Sequence, residues 1–130
     1  MRHFIAYHNP IKMGYPYPLS VDQRVLTNKP VKHVIGNTVW VVSFKGASRD
    51  YSLAGAFQVA EIGETHEAGF RHFVAGKGHL FSPWPSIKDM EWFQEIMRVT
   101  GHFGLGLHDV KESAVIAGLI ETAAECGYNL

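Results

Sequence analysis

The chain has 130 residues, of which 46% are apolar and 18% charged, a composition typical of one soluble domain spanning residues 1–130. The formal net charge is zero, which argues against a protein that coats DNA nonspecifically through a strongly basic surface. There is no apolar run of roughly 20 residues, no N-terminal pattern of a secretory signal and a single cysteine, so we expect a cytoplasmic protein with no membrane partner.

Alternating side chains predict a first strand over His3–His8. Residues 9–20 are rich in proline, so we expect a structured loop there rather than a helix. A short strand follows at Arg24–Thr27. After it come a turn at Asn28–Pro30 and one helical turn within Val31–Ile35.

Residues Thr38–Phe44 are β-branched or aromatic almost throughout, which predicts a strand buried on both faces. A turn of hairpin length, Gly46–Asp50, leads to a long alternating strand at Tyr51–Ile62. Gly55 within it indicates a bulge or a barrel bend. Simple alternation places large side chains on one face (Tyr51, Leu53, Phe57, Val59) and small ones on the other (Ser52, Ala54, Ala56, Ala60).

Further short strands are expected at Phe70–Ala75 and His79–Phe81, separated by Gly76-Lys77-Gly78. The C-terminal third changes to a helical period. A first helix is predicted to start with Ser86 as its N-cap and to end at Gly101, and a strand follows at His102–Leu107.

A second helix is predicted to start between Asp109 and Glu112 and to run to about Glu125, with Gly127 as its C-cap. Short strands with two helices at the end predict an α+β fold: a small curled or barrel-like mixed β-sheet with two C-terminal helices.

The neutral net charge conceals a segregation of charge along the chain. Residues 1–60 carry seven lysines and arginines against two acids, whereas residues 61–130 carry five against ten. The basic half also contains the tyrosine- and proline-rich segment that follows the first strand. Cations interleaved with rings favour an anionic ligand that can stack, and nucleic acid fits this description.

We therefore predict a non-enzymatic binding module with a cationic, aromatic-lined pocket for nucleic acid or a modified base. Rings would stack on a base, polar groups would read its edge and cations would hold phosphates. The predicted binding residues are Tyr7, His8, Asn9, Tyr15, Tyr17, Lys29, Lys32, Trp40, Lys45, Arg49 and Trp84.

Catalytic and metal-binding signatures are absent from the sequence, so we expect no catalytic residues, no metal and no cofactor. The histidines lack the close ligand spacing of zinc sites, and there is neither a nucleophile elbow nor a phosphate-binding loop. Two alternatives stay open. One is a homodimer with the small side chains of Tyr51–Ile62 along its seam, and the other is a small-molecule enzyme with His8 or His72 as acid/base.

The order of these features resembles the PUA-like superfamily, particularly EVE- and ASCH-type domains. The resemblance is strongest over residues 38–62, where Leu53–Glu61 follows a strand of the VWVVSF kind. The chain also resembles uncharacterised small bacterial proteins through Ala6–Asn9, Leu26–Lys29 and Asn37–Trp40. The resemblance implies a pseudo-barrel that recognises nucleic acid or a modified base in an aromatic pocket.

Overall fold

The computed structural model describes residues 1–46, 49–104 and 106–130. Within these ranges seven strands form one mixed sheet that curls into a pseudo-barrel, and α-helices flank it. The strands are β1 (His3–Tyr7), β2 (Asp22–Thr27), β3 (Thr38–Ser43), β4 (Ser52–Gln58), β5 (Glu61–Glu64), β6 (His72–Leu80) and β7 (Gly106–Val110). The α-helices are α1 (Pro10–Met13), α2 (Phe93–Val99) and α3 (Ser113–Glu125).

The strand order is β2-β6-β4-β3-β1-β7, with β5 added beside β6. The β1–β3 pair is parallel and the other pairs are antiparallel. The two end strands, β2 and β7, approach each other, and a Cβ built on Gly106 would lie 3.1 Å from the Thr27 hydroxyl. We call this junction the seam. The predicted α+β pseudo-barrel with two C-terminal helices is confirmed.

The sheet separates two apolar cores because its central strands are buried on both faces. Strand β3 is buried at every position, as its β-branched sequence predicts. Val39 and Val41 point into an inner core that draws on six strands, whereas Trp40 and Val42 pack in an outer core against α2 and α3.

A bulge in β4 changes the predicted pattern of its faces. Val41 pairs with Gly55 and Val42 pairs with Leu53, so Ala54 is the extra residue, and the bulge predicted beside Gly55 is confirmed. Leu53 consequently lies in the outer core and Phe57 in the inner core. The prediction that the large side chains of this strand share one face was therefore wrong.

The bulge also affects the row of small side chains that was predicted to line a homodimer interface. Ser52, Ala54 and Ala56 are all buried within the chain, whereas Ala60 is exposed. The segment is also divided, since β4 ends at Gln58 and β5 begins at Glu61. Ala54 packs in the inner core and Ala56 in the outer core, so these two side chains are already covered by the protein itself.

Two predicted strands merge into one, because β6 runs unbroken from His72 to Leu80. The glycines between them lie inside the strand, where the neighbouring backbone leaves no room for a side chain. A Cβ on Gly76 would lie 2.1 Å from the Gln58 carbonyl oxygen, and one on Gly78 would lie 2.0 Å from that of Ala56. Close backbone approach, not a turn, explains both glycines.

The predicted loop over residues 9–20 contains a short helix, α1. The Asn9 side chain accepts hydrogen bonds from the amides of Ile11 and Lys12. Pro10 occupies the first helical turn, where a backbone N–H would have no partner within the helix, so its missing N–H costs no hydrogen bond. Gly14, with φ of +85°, ends the helix in the left-handed conformation.

The predicted start of the first C-terminal helix was wrong. Helix α2 begins at Phe93. Ser86 instead forms an isolated β-bridge with Ser52, and its hydroxyl donates a hydrogen bond to Asp50 Oδ1 at 3.1 Å. A tertiary hydrogen bond thus replaces the expected N-cap.

The following strand begins later than predicted, since β7 starts at Gly106. Asp109 belongs to β7, and helix α3 starts at Ser113. The predicted end of α3 at Glu125 is confirmed, with Cys126 as the C-cap and Gly127, at φ +88°, one position beyond it. The amides of Gly127 and Tyr128 close the helix on the carbonyls of Ala124 and Ala123.

Parts of two predictions, the turn at Gly46–Asp50 and the strand at His102–Leu107, lie outside the described residues at positions 47–48 and 105. Across the described ranges, no helix has the length and apolar character needed to cross a membrane.

Candidate functional site

A cavity of about 230 Å³ opens beside the seam. Its wall combines Tyr7 at the end of β1, His8 directly after it, the loop that carries Tyr15 and Tyr17, and most residues of β2. Cavities for drug-sized ligands are roughly 300–1,000 Å³, so this one suits a single ring system with small substituents.

The loop after α1 turns back onto β1 and brings three rings together. His8 donates its Nε2–H to the carbonyl oxygen of Tyr15 at 2.8 Å, since a carbonyl can only accept. The His8 ring centre is 5.2 Å from that of Tyr15 and 5.5 Å from that of Tyr17. Tyr15 is 42% exposed at the mouth, whereas Tyr17 is 3% exposed in the wall. The cavity thus has one accessible ring and two more deeply set ones.

A buried glutamine anchors this wall to the rest of the barrel. Gln23 is 3% exposed, and its Oε1 accepts the Tyr17 hydroxyl at 2.9 Å. Its amide nitrogen donates to the carbonyls of Ala56 at 3.3 Å and His79 at 3.0 Å. One side chain therefore connects β2 to β4, β6 and the tyrosine loop.

The space for this amide depends on Gly55. A Cβ at Gly55 would lie 2.3 Å from Gln23 Oε1, well inside van der Waals contact. The glycine at the β4 bulge thus serves a second purpose, because it leaves room for the polar network behind the cavity.

Charged groups lie at the rim. Arg24 pairs with Glu67 at 3.1 Å, and its guanidinium lies 4.6 Å from the centre of the Phe73 ring. Within the described residues the cavity wall contains this one cation and two carboxylates, those of Asp22 and Glu67. The prediction of a cationic pocket was therefore wrong for the cavity itself.

Burial determines the protonation state of the three rings in the cavity wall. It lowers the pKa of His8, so the ring is neutral at pH 7 and Nδ1 is a lone-pair acceptor. Burial raises the pKa of Tyr17, and burial followed by the charge of Glu67 raises the pKa of Tyr15. All three rings therefore meet a ligand uncharged.

The predicted phosphate-holding cations lie outside the cavity wall. Lys45 places its ammonium 4.3 Å from the centre of the Trp84 ring, and Arg49 lies 5.3 Å from that of Phe44. Lys29 donates to the carbonyl of Leu107 at 2.8 Å, beside the seam. The remaining lysine, Lys32, is exposed in a 3-10 turn at Lys32–Val34.

The two predicted tryptophans do not meet the tyrosines in one cavity. Trp40 is completely buried in the outer core, where its indole N–H donates to His3 Nδ1 at 3.0 Å, so it is a core residue and not a ligand contact. Trp84 is partly buried and packs against both cores. Its indole N–H is buried with no partner among the described residues.

Tyr7 and Asn9 border the site in different ways. Tyr7 lines the cavity, but its ring stacks on Phe44 and Phe103 in the outer core, with centres 6.3 and 5.3 Å away. Burial and the nearby Tyr51 raise the pKa of Tyr7 to about 12. Asn9 is engaged as the cap of α1, which shapes the loop that bears the rings.

Sequence reasoning missed the groups at the back and the rim of the cavity: Gln23, Arg24, Glu67 and Gly106. The predicted strand began at Arg24, one residue too late to include Gln23. The inward positions of β2 are Gln23, Val25 and Thr27, so strict alternation carried back by one residue would have placed Gln23 inside.

The charge segregation of the sequence is partly neutralised in space. Arg2 forms an ion pair with Asp109, and Arg24 forms one with Glu67, so in each pair a cation from the first half meets an acid from the second. Each pair offsets one positive charge of residues 1–60, so the charge segregation along the chain is only partly kept in space.

No family model matches this sequence, and no curated protein matches it. The topology is that of an α+β pseudo-barrel. A solved structure of similar fold is that of the human THYN1 protein in complex with DNA containing 5-methylcytosine. It aligns with a TM-score of 0.57 over 92% of this chain and 96% of that chain. The sequence identity is 8%, so the likeness concerns the fold.

Proposed function

We propose that this protein is a nucleic-acid-binding module that takes a single base into the cavity beside the seam. The observation that carries the proposal is the cavity itself, which is small, largely pre-formed and bounded by the rings of His8, Tyr15 and Tyr17. The THYN1 structure, which shares this fold, is a complex with DNA that contains a modified base.

In this proposal Tyr15 is the principal stacking residue, because it is the exposed ring at the mouth. Tyr17 and His8 form the wall against which the base rests, and Tyr7 closes the inner end. Asn9 acts by shaping the loop, since its side-chain oxygen is occupied by the cap of α1. The ligand enters as a neutral ring, which suits a wall with an excess of carboxylates.

The phosphates would be held outside the cavity. Lys32, Lys45 and Arg49 are exposed cations, and Lys29 retains further N–H donors beyond its bond to Leu107. The rings under Lys45 and Arg49 restrict these long side chains, which lowers the entropy cost of holding a phosphate. We place such an interaction in the cytoplasm, where an exposed free thiol like that of Cys126 stays reduced.

The test is the affinity of fluorescein-labelled single-stranded oligonucleotides, with cytosine or 5-methylcytosine at one position, measured by anisotropy. Base stacking contributes about 1–3 kcal/mol, so Tyr15→Ala should weaken binding about tenfold or more. Tyr128→Ala is the matched control, because this tyrosine packs on His79 away from the cavity. An unchanged affinity for Tyr15→Ala would contradict the proposal.

Salt dependence tests the cations separately. Each phosphate contact that is lost should lower the slope of log K against log salt by about 0.7 for a single strand. We therefore expect Lys45→Ala and Arg49→Ala to reduce the slope as well as the affinity. Binding with no salt dependence would exclude the assigned phosphate contacts.

A further inference from the structure

Arg24 is the cation in the described part of the cavity wall, and three neighbours hold its side chain in place. Its guanidinium donates to Glu67 Oε2 at 3.1 Å and to the Thr65 hydroxyl at 3.4 Å. The same group lies 4.6 Å from the centre of the Phe73 ring. Because these contacts already restrict the long side chain, binding a ligand group costs little further entropy.

The guanidinium keeps donors for a ligand. An arginine side chain has five N–H groups, and the contacts to Glu67 and Thr65 use two of them. The Arg24 side chain is 41% exposed, so a ligand group at the rim can approach it. Guanidinium groups bind phosphate well, because their planar fork of donors matches the geometry of the phosphate oxygens.

Arg24 lies beside the ring that the proposed function assigns to stacking. Both residues line the cavity, and Tyr15 is 42% exposed at its mouth. Burial and the charge of Glu67 raise the pKa of Tyr15, whereas the charge of Arg24 lowers it. Both charges therefore lie within electrostatic reach of the Tyr15 hydroxyl, and the mouth combines an accessible ring with a cation.

A base that enters the cavity brings its sugar and the flanking phosphates to the mouth, because these groups are covalently joined. Resting on the proposed function, we infer that Arg24 binds a phosphate directly next to the inserted base. This contact is separate from those assigned to Lys45 and Arg49, since neither residue lines the cavity. Glu67 orients the guanidinium but repels the phosphate, so its charge weakens the contact.

The test uses fluorescein-labelled oligonucleotides with one deoxycytidine among abasic residues, which fixes the base that can enter the cavity. Each of the two phosphates that flank this nucleotide is replaced in turn by a neutral methylphosphonate, and affinities are measured by anisotropy. A charge-assisted contact corresponds to about tenfold or more in affinity, so we expect one of the replacements to weaken binding by that factor. If neither replacement weakens binding, the inference is overturned.

Arg24→Ala identifies the partner of the sensitive phosphate. It should weaken binding of the unmodified oligonucleotide about tenfold, and the methylphosphonate should then cause little further loss, because both changes remove one contact. Losses that multiply would assign the phosphate to another residue and overturn the inference. Tyr15→Ala should weaken binding of both oligonucleotides by similar factors, and this result keeps the proposed function standing whatever Arg24→Ala shows. If no oligonucleotide binds the unmodified protein, both fail.

Glu67→Gln separates a phosphate contact from a purely structural ion pair. Glutamine keeps an oxygen that can accept from Arg24 but removes the negative charge, so binding should tighten about two- to fivefold. An ion pair that only held the rim in shape would make Glu67→Gln weaken binding, as Arg24→Ala does, and that result would overturn the inference. Arg98→Ala and Glu95→Gln are the matched controls and should leave the affinity unchanged, because this ion pair on α2 does not line the cavity. The methylphosphonate and Glu67→Gln results decide the inference even if Arg24→Ala does not fold.

Discussion

Replacing Gln23 by leucine removes the side chain that connects the tyrosine loop to the barrel, with little change in volume. The variant loses three hydrogen bonds: one to the Tyr17 hydroxyl and two to the carbonyls of Ala56 and His79. At about 1 kcal/mol net for each bond, the loss is about 3 kcal/mol. Leucine regains about 1 kcal/mol by burying more apolar surface, which leaves a loss of about 2 kcal/mol if water reaches the groups left without partners, and a single group that stays dry adds about 2 kcal/mol more.

The expected net effect is a loss of about 2–4 kcal/mol, a large part of the roughly 5–15 kcal/mol by which domains of this kind are stable. Urea denaturation followed by circular dichroism measures it. The midpoint should fall by roughly 1–2 M at a denaturant slope of about 2 kcal/mol per molar.

The matched control is Gln58→Leu, the same substitution at an exposed position with a single hydrogen bond to the Gly36 carbonyl. It should cost at most about 1 kcal/mol. Tyr17→Phe alone should also cost about 1 kcal/mol. Combined with Gln23→Leu it should cost less than the sum, since the unpartnered hydroxyl is gone. If Gln23→Leu costs no more than Gln58→Leu, the role assigned to the buried network is refuted.

Two further predictions concern stability. Gly55→Ala should cost about 1–3 kcal/mol, because its methyl group would collide with the Gln23 amide, and Gln23→Ala should relieve part of that cost. Stability should also fall as the pH drops below about 6.5, the unfolded pKa of histidine. Burial lowers the folded pKa of His3, His8 and His108, so the folded state binds fewer protons than the unfolded one between that lowered pKa and 6.5. Urea midpoints measured between pH 5 and pH 8 give the slope.

Each of these predictions has a control and a contradicting outcome. Gly104→Ala is the control for Gly55→Ala, because its Cβ would meet its nearest atom at 3.4 Å. Additive costs for Gly55→Ala and Gln23→Ala would contradict the proposed collision. For the pH dependence, His8→Gln and His108→Gln should flatten the slope, and the exposed His66→Gln is the matched control. A stability that rises on acidification through this window would contradict the assigned histidine pKa directions.

Local sequence predicted those elements whose character depends on near neighbours. Thr38–Ser43 is β-branched at most positions, and such a run favours an extended, buried strand. The C-terminal end of α3 followed from Gly127, because a glycine that accepts positive φ closes a helix by local hydrogen bonds.

Other elements were decided by distant partners. Ser86 has the sequence of an N-cap, yet its hydroxyl is bonded to Asp50, thirty-six residues away. Gly76 and Gly78 have the sequence of a turn, but the β4 backbone beside them makes them strand residues. Neither outcome can be derived from local propensity, because the deciding atoms are remote in sequence.

The sequence by itself determined an α+β chain, a central strand buried on both faces and a ring-bearing loop next to the first strand. Only the tertiary structure decided that Trp40 lies in the core, that Arg24 pairs with Glu67, and that Gln23 links the strands behind the cavity. The physical reason is that pattern and propensity act over a few residues, whereas the polarity of a cavity depends on which hydrogen bonds are already made. Those of Gln23 join residues up to fifty-six positions apart.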